Sequence, residues 1–149
     1  MEDIWKLAAE AAFVIPCCVR DLRKKSIPRW YFALGGAGAG LLFILDPPGA
    51  AGLPALVYAL MPGVFLLLCA AATGQKIGFG DGIFFLLLGL MVRDGTGMLL
   101  LLCLALLFSA AFSGVLLAAG RVKTGTKLPF LPFAGAAAAV LLACGGLPR

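Results

Sequence analysis

The chain has 149 residues, 62% of them hydrophobic and only 13% charged, with a formal net charge of +5. So apolar a composition leaves too little polar surface for a soluble globule and predicts an integral membrane protein. The basic residues sit in short loops between apolar runs and not along one face, which argues against nucleic acid as a partner and makes topology their explanation. With no histidine, the usual metal ligand, the usual general base and every Ser-His or Cys-His dyad are excluded, so any catalysis rests on carboxylates.

Measured against the roughly 20 residues that cross a bilayer, the apolar runs are Ile4 to Arg20, Trp30 to Leu45, Gly52 to Thr73, Lys76 to Val92, Met98 to Gly120 and Pro129 to Gly146. None shows the period-two alternation of a barrel strand. The fold class expected is therefore all-α: one domain over residues 1–149, a polytopic membrane bundle of about six transmembrane helices.

The first run follows Glu2 and Asp3 and precedes a basic cluster, the reverse of a secretory signal, so it is expected to be retained. Within it Glu10 follows Lys6 by four residues, a spacing for a structural ion pair, with a proton pathway as the alternative. The run ends at Asp21, Leu22, Arg23. In the second run Gly35, Gly36, Gly38 and Gly40 suit close helix approach, and Asp46, Pro47, Pro48, Gly49 then make a turn, where Asp46 reads as solvated.

Span four is the informative one. Ile83 to Val92 alone would rise only about 15 Å, so its helix is expected to begin near Lys76 or Gly78, bringing Asp81 just below the headgroups and into the bundle interior. Asp94 belongs to the Arg93, Asp94, Gly95 turn and also reads as solvated. The last run opens on Pro129, Phe130, Leu131, Pro132, Phe133, where prolines suit a helix start and phenylalanines an interface. Cys17, Cys18, Cys69, Cys103 and Cys144 form no Cys-x-x-Cys pair and read as small core residues.

With six spans, loops one, three and five share a side and carry nine of the twelve basic residues, from Arg20 to Arg29, at Lys76, and from Arg121 to Lys127. The positive-inside rule makes that side cytoplasmic and turns both termini outward. Asp21 and Asp81 are the only acids on it. Each has a bland reading of its own: Asp21 in a surface ion pair with Arg20 or Lys24, and Asp81 as a helix cap. Together they compose a general acid/base pair, because two neighbouring carboxyls share one proton near neutral pH and so supply both an acid and a base for hydrolysis.

Asp21, Leu22, Arg23 with Ile27, Pro28; Gly78, Phe79, Gly80, Asp81; and Pro129 to Phe133 occur in this order over nearly the whole chain. In these motifs the sequence resembles the type IV prepilin peptidases, GxGD aspartyl proteases of the prokaryotic plasma membrane. The resemblance implies that Asp21 and Asp81 are the catalytic pair, acting without cofactor or metal, and that Gly78, Gly80, Gly82, Pro129, Phe130 and Pro132 neighbour the substrate. It further implies that the partners are membrane lipid and a prepilin-like precursor with a basic leader and an apolar helix, cut at the cytoplasmic face.

The chain departs from that family in carrying no paired Cys-x-x-Cys motifs, which implies cleavage without methylation. It also has Gly82, Ile83 where a lysine often follows the second aspartate, and Arg29 where asparagine is common. Two rival readings follow: a small ion- or proton-coupled transporter subunit using the same acids, and a catalytically silent relative acting in secretion-system assembly.

Overall fold

A computed structural model describes residues 2–24, 28–49, 52–74, 78–120 and 129–144, excluding the side chains of 2–7, 24 and 29. Among the described residues the secondary structure is entirely helical: α1 Glu2–Lys24, α2 Arg29–Leu45, α3 Gly52–Ala72, α4 Phe79–Val92, α5 Gly95–Ala118 and α6 Leu131–Ala143. Two of these, α3 and α5, are long and apolar enough to cross a membrane, whereas α2, α4 and α6 are shorter apolar helices. The six apolar runs thus correspond one to one with six helices. The basic residues Lys25, Lys76, Arg121, Lys123 and Lys127, which carry much of the expected orientation, lie outside the described residues, as does the Lys6 side chain proposed to pair with Glu10.

Local chemistry sets the helix ends. Pro28 is fixed in an extended conformation (φ −68°, ψ 145°) just before α2, and Pro47 and Pro48 cannot continue it. Gly74 and Gly120 take positive φ after α3 and α5, the left-handed conformation that ends helices most cheaply at glycine. Between α4 and α5 only Arg93 and Asp94 intervene. Arg93 adopts that left-handed conformation (φ 56°) despite its side chain. Its guanidinium supplies a reason, because it donates to the carbonyls of Leu90, Leu42 and Asp46 and pairs with Asp46 Oδ2 at 3.5 Å. One cation thereby closes the C-terminal ends of both α2 and α4.

Asp46 and Asp94, expected as solvated turn residues, are thus engaged. Asp94 is the N-cap of α5, accepting the amides of Thr96 at 3.2 Å and Gly97 at 2.6 Å. Asp94→Ala is expected to cost about 0.5–2 kcal/mol, read as a lower thermal midpoint of the purified protein in detergent. An unchanged midpoint would show that water replaces the cap.

α4 is the centre of the bundle. It packs most extensively on α3 and also meets α2, α1 and α5, while α6 bridges α5 and α1. The α3/α4 approach depends on missing side chains: a Cβ on Gly63 would stand 2.6 Å from Leu86 N, one on Gly82 would stand 2.7 Å from the Leu67 side chain, and one on Gly89 would collide with the Ala59 carbonyl. Small residues thus line an antiparallel seam along which backbones touch. The glycines singled out in α2 behave differently from one another. Gly35 makes room for the Phe13 ring and Gly38 for Met91, whereas Gly40 faces open space. Beyond the seam, the core is aromatic: Phe13 of α1 stacks on Phe84 of α4 at 5.4 Å, Phe84 meets Phe85 edge-on, and Phe85 reaches Phe130 before α6 at 6.1 Å.

Apolar side chains also cover the outside. Leu34, Ile44, Phe65, Leu68, Leu107 and Val115, spread over α2, α3 and α5, are all exposed. Of the cysteines only Cys17 is fully buried, while Cys103, within α5, and Cys144, the C-cap of α6, are exposed. The small-core reading therefore fits Cys17 and not those two.

Candidate functional site

Three helix ends meet at one end of the bundle. Asp21 lies in the last turn of α1, Asp81 in the first turn of α4, and Leu131 opens α6. The carboxyl groups of Asp21 and Asp81, sixty residues apart in sequence, are near enough to interact electrostatically. Their surroundings differ. Asp21 is buried, 7% exposed, whereas Asp81 is half-buried. Among the described residues no three His, Cys, Asp or Glu side chains cluster as a metal ion would require.

Asp21 is held from α6. Its Oδ2 accepts the Leu131 N–H at 3.1 Å, and the first turn of α6 explains why that amide is available. A helix leaves its first amides without internal partners. Here Pro132, in the first turn, has none to offer, and the amides of Phe133 and Ala134 both go to the Phe130 carbonyl, at 3.0 and 3.3 Å. Leu131 keeps its donor, and Asp21 takes it. A carboxylate in the last turn of α1 lies at the unfavourable end of its own helix dipole, while the amide end of α6 supplies a compensating partial positive charge.

Asp81 is third in its helix after the N-cap Gly78, so it is a first-turn residue and not the cap itself. Its amide donates to the Gly78 carbonyl at 3.1 Å, and a Cβ on Gly78 would lie 3.0 Å from Asp81 Oδ2. Gly78 therefore leaves the carboxylate its space. Gly80 faces the Phe32 ring of α2 at ordinary contact distance, and Gly82 belongs to the α3/α4 seam. The three glycines around Asp81 consequently serve three neighbours: the carboxylate, α2 and α3.

Pro129 and Phe130 precede α6 and are half-buried, Phe130 being its N-cap. Phe130 leans on Phe85, and Phe133 on Phe112 of α5 at 5.3 Å. Arg20, a candidate partner for Asp21, carries its guanidinium over the Tyr31 ring at 5.6 Å, toward α2.

α4 and α5 meet at the shared Arg93, Asp94 link, where α4 ends and α5 begins, and α5 has 24 residues against 14 in α4, about 15 Å more helix at 1.5 Å per residue.

Two contributors went unread in the sequence. Leu131 acts through its backbone, and the signal for it was the proline one residue later, which leaves its amide as the free donor. Cys18 stands one helical turn before Asp21 and donates its thiol to the Leu131 carbonyl at 3.1 Å. The i, i+3 spacing alone would have put the two on one face. Compared with protein-family models, curated proteins and solved structures, the chain matches none.

Proposed function

We propose that the chain is a six-span membrane aspartyl endopeptidase of the prepilin-peptidase type, removing the leader of a prepilin-like precursor at the cytoplasmic face of a prokaryotic plasma membrane. The observation that carries the reading is that Asp21 and Asp81, two acids from distant helices, lie near enough to interact in a bundle whose outside is apolar. Ionisable groups in such a setting are costly and rarely kept without a task. The exposed hydrophobic side chains and the two long apolar helices support a lipid surround.

The depth of the site also supports it. Helices of 14 and 13 residues rise about 21 and 20 Å, less than the roughly 30 Å of hydrocarbon. Non-helical backbone at Gly78 and at Pro129, Phe130 would then lie at membrane depth, where it persists only inside protein or beside water. Water is the co-substrate this chemistry needs. One carboxylate removes a proton from it as oxygen attacks the scissile carbonyl carbon, the other carboxyl protonates the carbonyl oxygen, and the proton taken up is returned to the departing amine.

The direct test is co-expression with prepilin-like precursors, read as a loss of leader mass. Cleavage between the basic leader and the apolar helix supports the reading, and ion-dependent flux in vesicles without cleavage would sink it. Once cleavage is established, Gly78→Ala is expected to slow it by about 10- to 100-fold, because a methyl group displaces the Asp81 carboxylate. The amount of inserted protein should stay unchanged, since Gly78 is exposed.

A further inference from the structure

Cys18 and Asp21 engage opposite ends of one residue. Asp21 Oδ2 accepts the Leu131 N–H and Cys18 Sγ donates to the Leu131 carbonyl, both at 3.1 Å. Leu131 is fully buried, so water does not compete for either group. The sulfur fits because α6 lacks a side chain opposite it: a Cβ on Gly135, one turn after Leu131, would stand 2.7 Å away. Two α1 residues and one missing side chain on α6 thus form a clamp around the backbone from which Asp21 takes its amide.

Resting on the peptidase reading, we propose that Cys18 is a positioning residue for the cleavage: its thiol fixes the first turn of α6, and through the Leu131 amide it aims Asp21 at Asp81. As at any helix start, the first amides of α6 have no partner one turn earlier, so Leu131 is held from outside its helix by α1, through Asp21 and Cys18. A thiol is a weak donor, but a carbonyl it fixes from α1 moves with α1, and so does the amide of the same residue. The rival account is that Cys18 is a small apolar filler, which predicts the opposite ranking of substitutions.

The test uses the full chain in lipid vesicles with a prepilin-like precursor, comparing wild type, Cys18→Ser and Cys18→Ala. Serine keeps a donor of similar size, and its cleavage rate should stay within about twofold of wild type, whereas alanine should lower kcat roughly tenfold with KM unchanged. Hydrogen exchange at the Leu131 amide should be accelerated in the alanine variant only. Alanine as fast as wild type, serine as slow as alanine, or unaltered exchange in the alanine variant would each overturn the positioning role. Absence of cleavage by wild type would instead overturn the peptidase reading and the inference with it; in all the other outcomes wild type cuts, so the two failures are distinct.

Discussion

Asp21→Asn and Asp81→Asn are each expected to lower cleavage by about 10²–10⁴-fold, the range a positioned acid or base contributes. Asparagine preserves the volume of aspartate, and in Asp21→Asn its carbonyl oxygen still accepts the Leu131 N–H, so α6 should stay docked on α1. Protein levels and membrane insertion should match wild type, which separates chemistry from folding. The double variant should be little worse than either single one, because the two carboxyls work as a unit and removal of one already disables the other. The measurement is precursor mass after co-expression, followed by rates with purified protein. Wild-type cleavage by either single variant would remove that aspartate from the reaction.

The second large effect concerns the seam that sets the position of Asp81. Gly63→Ala and Gly89→Ala each insert a methyl group against helix backbone, at Leu86 N and the Ala59 carbonyl, where no side chain is available to move aside. Each is expected to cost about 1–3 kcal/mol, read as a lower thermal midpoint in detergent. Together they should cost less than their sum, because helices parted by the first methyl already accommodate much of the second. Gly40→Ala is the control: it faces open space in α2, so alanine should be neutral or should stabilise by up to about 1 kcal/mol through helix propensity. A seam variant as stable as wild type would mean that α3 and α4 do not approach as described.

Both predictions bear on one geometric fact. The clearance between α3 and α4 decides where the first turn of α4 sits, and the first turn of α6 decides where Asp21 points. A seam variant that still folds should therefore also cut more slowly, without having touched a carboxylate.

Much of the architecture was legible in the residues. Six apolar runs bounded by prolines, glycines and charges became six helices, because apolar length and helix-stopping chemistry are local properties. The start of α4 near Gly78 was legible for the same reason: ten apolar residues are too few for the element required. The engagement of Asp46 with Arg93 was not, because forty-seven residues separate them and a turn composition of Asp, Pro and Gly is the same with or without a distant cation. The α2 glycines were the conspicuous small residues, yet the tight seam formed at Gly63, Gly82 and Gly89. Composition registers that a side chain is missing, and only the facing helix decides whether the space is filled.

The sequence by itself determined the helical class, the apolar outside and the acid pair as the place to look, since each follows from the kind of residue and its distance from the next along the chain. Tertiary structure alone decided that Asp21 and Asp81 come near enough to interact, that Asp21 is buried against the Leu131 amide, and that Cys18 holds the other side of that residue. These contacts link α1 to α4 and α6 across 60 to 113 residues. Their existence depends on how closely the helices pack, which the glycine seam and the aromatic core set and which no local periodicity encodes.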